Sequence, residues 1–219
     1  MVITIGNNAF QSCTALTAVT ISSSVKIISD GTFRSCSALT SVTIPNGVES
    51  IGASAFRSCS ALTSIIIPDS VESIGSNAFQ SCSSLTAISI GDGVKTIGSS
   101  VFYRCTALVA VSVDAGNVKY ASIDGVLYDK AVTKLMLYPA SKTGSLTVPN
   151  TVTSIEASAF SGCTALTSVV ISDNVKTIGI YSFSGCTALA SVTMGSGITS
   201  IENLSLIHIS EPTRQAEIS

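Results

Sequence analysis

The chain has 219 residues, of which 46% are hydrophobic and only 11% are charged, and its formal net charge is −2. No apolar run approaches the ~18 residues of a membrane-spanning helix, and the slight acidic excess argues against nucleic acid or an anionic membrane as a partner. The apolar residues lie at fixed positions, which is typical of a core that runs continuously along a repetitive chain.

A 23-residue pattern begins near the start of the chain and returns throughout it. It places an isoleucine five residues before a phenylalanine, a cysteine three residues after it and a leucine three residues later. The phenylalanines are Phe10, Phe33, Phe56, Phe79, Phe102, Phe160 and Phe183. The cysteines are Cys13, Cys36, Cys59, Cys82, Cys105, Cys163 and Cys186. Such self-similarity indicates stacked repeats, each of which contacts only its neighbours.

The repeat at residues 39–61 shows the elements to expect in each copy. Residues 42–44 alternate inward and outward, as in a half-buried strand, and Pro-Asn-Gly at 45–47 ends that strand. Residues 48–51 predict a second short strand, and residues 55–59 suit a helical or 3₁₀ turn that buries Phe and Cys. Equivalent strands would stack in parallel about 4.8 Å apart. The sequence therefore predicts a right-handed repeat solenoid that is mainly β with short helical or 3₁₀ turns.

The outward positions of the first strand are small and nearly uncharged, so they lack the arginine and aromatic anchors of binding hot spots. A hydroxyl ladder also suggests ice binding, but Ala18, Ile66 and Val170 interrupt it.

The position after each phenylalanine is more varied. We therefore expect one set of partner contacts there, comprising Arg34, Arg57 and Tyr103 together with the adjacent Arg104.

One repeat is enlarged, because Phe102 and Phe160 are separated by 12 residues more than two regular repeats. The register is lost at about residue 114 and is regained by about residue 150. Between these points, residues 123–126 carry a hairpin-turn signal, and residues 126–128 and 135–138 are predicted to pair. Insertions in solenoids often lie on a binding face, which makes a second candidate set of Tyr120, Tyr128, Lys130, Lys134 and Tyr138. The alternative is a hairpin that only braces the stack.

The seven cysteines do not have the spacing of a metal site. Zinc ligands usually come in close pairs, whereas neighbouring cysteines here are 23 residues apart. Side chains in one row point in parallel, which disfavours disulfides, so we expect buried free thiols that pack as small hydrophobic groups.

The only histidine is His208, outside the repeats, so the repeats hold no histidine-based catalytic group. We predict no cofactor, no metal and no enzyme activity.

Residues 204–219 break every position of the pattern. Their sequence resembles the translation of a sequencing adapter, which predicts a non-native tail that is excluded from fold reasoning. The chain also starts in the middle of a repeat, so we expect residues 1–203 to be one solenoid that is cut at both ends. These residues hold 10 basic and 11 acidic side chains. No signal peptide is visible, which says nothing about location in a fragment.

The pattern Leu-x-x-Val-x-Ile-Pro-x-x-Val-x-x-Ile-Gly-x-x-Ala-Phe-x-x-Cys resembles the BspA-like leucine-rich repeats of bacterial surface proteins. Asp-Gly-Val-Leu-Tyr at 124–128 is similar to the enlarged repeat often found among them. The resemblance implies a secreted or cell-surface protein, and some family members bind extracellular-matrix or plasma proteins of a host. It transfers no individual binding residue, since the family has no shared site motif.

The sequence thus favours a non-catalytic adhesion module that binds a protein partner. Two alternatives stay open: a passive spacer that presents another domain, and an enzyme whose catalytic domain lies beyond the fragment.

Overall fold

The structure is a computed structural model that describes residues 3–203. The chain divides into two compact units, Met1–Ser122 and Ile123–Ser219. Across the described residues the regular secondary structure is entirely β, in strands of two to five residues. Within the same residues no helix could span a membrane. The predicted tail at 204–219 lies outside the described residues, and the assignment of residues 1–203 to one solenoid stays a prediction.

Each repeat of unit 1 contributes two short strands, which belong to two different parallel sheets. The five-stranded sheet contains β1 (Thr4–Ile5), β3 (Ile27–Ile28), β5 (Ser50–Ile51), β7 (Ser73–Ile74) and β9 (Thr96–Ile97). The other strands form a two-stranded sheet of β2 (Ala18–Thr20) and β4 (Ser41–Thr43) and a three-stranded sheet of β6 (Ser64–Ile67), β8 (Ala87–Ile90) and β10 (Ala110–Val113). In both sets of strands the parallel pairs join equivalent residues of consecutive repeats, such as Ile51 with Ile74 in the first set and Ile88 with Val111 in the second. The predicted parallel-strand solenoid is therefore confirmed.

Two turns connect the strands of each coil. We call the longer one, such as residues 52–63, the Phe turn, and the shorter one, such as residues 44–49, the Pro turn. In the Phe turn the Phe56 N–H donates to the Ala78 carbonyl of the next coil at 2.8 Å, whereas the Arg57 N–H donates to Ser54 within the turn at 3.1 Å. Ser54 and Ser58 supply the required left-handed backbone, with φ of 56° and 61°.

This alternation replaces the helical or 3₁₀ turn that the sequence predicted. A 3₁₀-helix needs consecutive i→i+3 bonds, and here every second N–H is used between coils. The segment is a series of single turns.

The core of unit 1 consists of rows of identical side chains. The ring centroids of Phe33 and Phe56 are 5.4 Å apart, and those of Phe56 and Phe79 are 5.3 Å apart, with nearly parallel planes. All three side chains are fully buried. The coils approach so closely that a Cβ on Gly75 would lie 2.5 Å from the Ala53 amide nitrogen. Glycine is required there because no side chain fits between the coils.

Unit 2 repeats this arrangement after a hairpin, with β11 (Tyr120–Ile123) spanning the boundary between the units. Asp124 and Gly125 have φ of 50° and 79°, as a type I′ turn requires. The remaining strands are β12 (Val126–Asp129), β13 (Lys134–Leu137), β14 (Gly144–Thr147), β15 (Ser154–Ile155), β16 (Leu166–Val170), β17 (Thr177–Ile178), β18 (Ser191–Thr193) and β19 (Ser200–Ile201). As predicted, β12 pairs antiparallel with β13. Strand β13 continues into a parallel sheet with β15, β17 and β19, and β14, β16 and β18 form a second one.

Candidate binding surface

Tyr138, one of the predicted contacts, belongs to the core of unit 2. Its ring lies 5.4 Å from that of Phe160, and its N–H donates to the Ala159 carbonyl at 2.8 Å, as the phenylalanines do in regular coils. It is 1% exposed, and burial raises the pKa of its hydroxyl. Tyr138 therefore fills the phenylalanine position of the enlarged repeat.

Tyr120 closes the five-stranded sheet of unit 1. Its hydroxyl accepts the Ile97 N–H of β9 at 2.9 Å and donates to the Lys95 carbonyl at 3.5 Å. Asn117, which is completely buried, donates from its amide nitrogen to the carbonyls of Gly91 and Val94. Its amide oxygen accepts the N–H groups of two residues, Lys119 and Tyr120. These side chains satisfy polar backbone groups that a further regular coil would otherwise satisfy.

Tyr128 is also buried, with 1% of its surface exposed. Burial, followed by the nearby Asp124 carboxylate and the Tyr138 hydroxyl, raises the pKa of Tyr128 to about 12. The three hairpin tyrosines are thus structural side chains that offer little contact area to a partner. The structure favours the bracing alternative for them.

The two predicted hairpin lysines are exposed. Lys134 forms a 3.8 Å ion pair with Glu156. The loop that carries them is held by Asp129, whose carboxylate accepts the Thr133 N–H at 2.7 Å and the Lys134 N–H at 2.8 Å. Binding through Lys130 and Lys134 stays a prediction.

The other predicted set lies together on the Phe turns of unit 1, and we call Arg34, Arg57, Tyr103 and Arg104 the arginine edge. Arg34 and Arg57 occupy equivalent positions of adjacent coils and are partly exposed. The Arg104 guanidinium carbon lies 5.4 Å from the centroid of the Tyr103 ring, a cation–π distance. Across residues 3–203, the Arg34 and Arg57 side chains have no ion pair or hydrogen bond.

Other charges of unit 1 neutralise one another on the far side of the coils. Lys26 pairs with Glu49 at 3.0 Å, and Lys95 pairs with Glu72 at 2.6 Å. These carboxylates form an exposed ladder in which each has a cation as its neighbour. Such exposed pairs contribute little to stability, and their arrangement has no feature of an acid/base pair.

The cysteine row has a role that the sequence did not reveal. Each buried thiol donates to the carbonyl of the aromatic residue in the preceding coil, as Cys59 does to Phe33 at 3.1 Å and Cys82 to Phe56 at 3.2 Å. Burial raises the pKa of the Cys59 thiol to about 12. All seven cysteines are free, but Cys13 is only half-buried, contrary to the prediction, because its coil has no described coil before it. Across residues 3–203, no cluster of three His, Cys, Asp or Glu could hold a metal.

The broad faces of unit 1 carry shallow grooves that no arginine or aromatic side chain lines. One groove of about 550 Å³ is lined mainly by serines and isoleucines of β3, β5, β7 and β9 and by the small residues that follow these strands. Among β2, β4, β6, β8 and β10 the outward row has one large apolar residue that is strongly exposed, Ile66. The arginine edge is therefore the most chemically distinctive surface of unit 1.

The BspA-type leucine-rich repeat region, in 6 copies, matches residues 3–123 and 135–213. The chain belongs to this family. The BspA-type match omits residues 124–134, which hold the type I′ turn, β12 and the loop that follows. No curated protein matches the chain significantly.

Solved structures of other leucine-rich-repeat proteins are similar to this BspA-type chain. The pneumococcal vaccine antigen PcpA has a TM-score of 0.72 and 25% identity over 90% of this chain and 57% of its own. A leucine-rich-repeat protein from Eubacterium ventriosum has a TM-score of 0.74 and 29% identity, covering 92% of this chain and 61% of its own. A leucine-rich cell-surface protein from Faecalibacterium prausnitzii has a TM-score of 0.57 and 30% identity, covering 90% and 66%. The chain thus spans about three fifths of the first two relatives.

Proposed function

We propose that the chain is an adhesion module of a secreted or cell-surface bacterial protein, and that it binds a protein partner through the arginine edge. The family and the similar cell-surface protein support the location. Host extracellular-matrix proteins are the partner class that the family resemblance suggests. The fold alone would support many functions, so the choice of a binding role rests on the surface of unit 1.

The observation that carries the proposal is the pair of arginines without partners. Arginine and tyrosine are enriched in binding hot spots because they supply large contact area and directed hydrogen bonds. The arginine edge combines three arginines with Tyr103, whereas the strand faces present mainly small side chains. The lysines of the Pro turns at 26 and 95 are already neutralised by glutamates.

The second candidate function is a passive spacer that presents another domain. The bracing role of Tyr120, Tyr128 and Tyr138 favours it, because the enlarged repeat then serves the stability of the stack. A spacer, however, needs no exposed arginines in equivalent positions.

A binding assay separates the two functions. The full chain is tested against immobilised extracellular-matrix and plasma proteins, beside a variant with the arginine edge changed to alanine and a variant with Lys130→Ala and Lys134→Ala. We expect the first variant to lose at least about tenfold in affinity, since a hot-spot residue contributes 2 kcal/mol or more, and the second to bind as the parent does. Retained affinity in the first variant removes the proposed site. No affinity of the parent for any partner favours the spacer.

A further inference from the structure

The charges of unit 1 are segregated between the two turns of each coil. The Phe turns, residues 29–40, 52–63, 75–86 and 98–109, contain three arginines and one acidic residue, Asp30. The Asp30 carboxylate already accepts the Ala53 N–H at 2.7 Å. The Pro turns, in contrast, carry five carboxylates and three lysines, namely Glu49, Asp69, Glu72, Asp92, Asp114, Lys26, Lys95 and Lys119. The Phe-turn edge is thus the positive side of an otherwise slightly acidic protein.

Two like charges lie in neighbouring coils of that edge. Arg34 and Arg57 directly follow Phe33 and Phe56, whose rings stack at 5.4 Å. Charges one coil apart repel each other, and water and salt screen that repulsion only in part. No carboxylate of residues 3–203 pairs with either guanidinium. An external anion would therefore be attracted by both guanidinium groups at the same time.

We propose that the arginine edge binds an acidic polypeptide segment, whose carboxylates pair with Arg34, Arg57 and Arg104. This inference rests on the proposed function and names the chemistry of the partner. The guanidinium group matches a carboxylate through two parallel hydrogen bonds. Arg104 lies two coils beyond Arg57, so the three arginines extend over roughly 15 Å at ~4.8 Å per coil. An extended peptide of about five residues covers that length.

The density of charge favours a peptide over a sulfated polysaccharide. Sites for such polyanions are typically clusters of about five to eight basic residues. Here the uncharged Gln80 separates Arg57 from Arg104, so the edge holds three basic residues and is smaller than such a cluster. Tyr103 beside Arg104 adds an aromatic surface that a peptide side chain can contact.

The test uses the full chain and two labelled 12-residue peptides that differ only in a central run of five glutamates or five glutamines. Binding is measured by fluorescence anisotropy at low and at physiological ionic strength. The key variant is Arg34→Gln with Arg57→Gln. Glutamine occupies the same position of the repeat at Gln11 and Gln80, so this variant retains the fold, which its thermal unfolding checks. The control variant, Lys26→Gln with Lys95→Gln, removes the same charge from the Pro turns.

We expect the glutamate peptide to bind at least about tenfold more tightly than the glutamine peptide, with an affinity that falls as salt rises. The arginine variant should lose most of this preference, and the lysine control should stay within about twofold of the parent. Equal binding of the two peptides, or an equal loss in both variants, overturns the inference. Binding of dextran sulfate without binding of the glutamate peptide overturns it in favour of a polysaccharide.

The results for the parent chain in the two binding assays distinguish a failure of this inference from a failure of the proposed function. If the parent binds a matrix protein but shows no preference for the glutamate peptide, only the acidic-partner inference fails. If the parent prefers the glutamate peptide but binds no matrix or plasma protein, the proposed adhesion role fails. The inference that the arginine edge binds an acidic peptide is then retained.

Discussion

The regular repeats of unit 1 and the enlarged repeat fill equivalent roles with different residues. In the regular coils a phenylalanine stacks on the equivalent phenylalanine of the next coil. The backbone N–H groups of one coil donate to carbonyls of the next. In the enlarged repeat, Tyr138 takes the stacking role for unit 2, and Asn117 with Tyr120 satisfies the backbone of unit 1. Large polar side chains in an insertion can thus be core residues. Four predictions test this comparison.

The largest effect is expected at Tyr138. Tyr138→Ala removes a buried ring from the stack and should destabilise unit 2 by about 4 kcal/mol, as for buried aromatic residues in general. Tyr138→Phe should cost less than about 1 kcal/mol, because the buried hydroxyl has no hydrogen-bond partner among the described residues. Urea unfolding of both variants measures the difference. Equal destabilisation by the two changes would contradict the stacking role.

The next effect concerns Asn117, whose side chain makes four hydrogen bonds to the backbone. Asn117→Ala should destabilise unit 1 by about 3 kcal/mol, because buried carbonyls and N–H groups lose their partners. Exchange of the amide hydrogens of residues 119 and 120 should also become faster. An exposed neighbour gives the control, since Val118→Ala should change stability by less than about 0.5 kcal/mol. An Asn117→Ala variant as stable as the parent would refute the closing role of this residue.

The cysteine row should show a smaller effect that depends on pH. Cys59→Ala leaves a small cavity and should cost about 1 kcal/mol or somewhat more. The folded protein raises the pKa of Cys59 from 9.0 to about 12, so its contribution is complete below pH 9 and is lost as the pH rises towards 12. Thiol titration of the unfolded, unreduced chain should find seven free groups. A count near one would mean that three disulfides had formed.

The smallest effect is expected at the left-handed positions of the Phe turns. Ser58 has a φ of 61°, and Gly162 and Gly185 occupy the same position of later repeats with φ of 75° and 78°. Ser58→Gly should stabilise unit 1 by about 0.5 kcal/mol, because relief of ~1–2 kcal/mol of strain exceeds the ~0.5–1 kcal/mol entropy cost of glycine. Ala61→Gly, at a position without positive φ, should instead be destabilising. Thermal unfolding measures both changes.

The sequence was sufficient to predict the strands and rows wherever the repeat is regular, because identical residues at a fixed spacing must occupy equivalent environments. It did not reveal the burial of the hairpin tyrosines, because the insertion removes the register. Counting back 23 residues from Phe160 points to Leu137, whereas Tyr138 stacks on that ring. The left-handed positions could not be predicted either, since a serine such as Ser54 or Ser58 does not indicate a positive φ as a glycine does.

The candidate site was predicted in part. The position after each phenylalanine varies, and this variation singles out Arg34, Arg57 and Tyr103, which Arg104 follows in the chain. The sequence could not reveal that Lys26 and Lys95 are neutralised by glutamates of neighbouring coils, because ion pairs between coils depend on the stacking geometry. The contrast between paired lysines and the arginines without partners comes from the structure.

The most direct test of the arginine edge as the binding surface is a hydrogen-exchange comparison of the free chain with its complex with the best-binding protein of the matrix and plasma panel. The proposal predicts slower exchange at residues 33–36, 56–59 and 103–105, with little change at the hairpin loop 129–134. Protection confined to the hairpin loop, or to the serine and threonine rows of the strands, would contradict it.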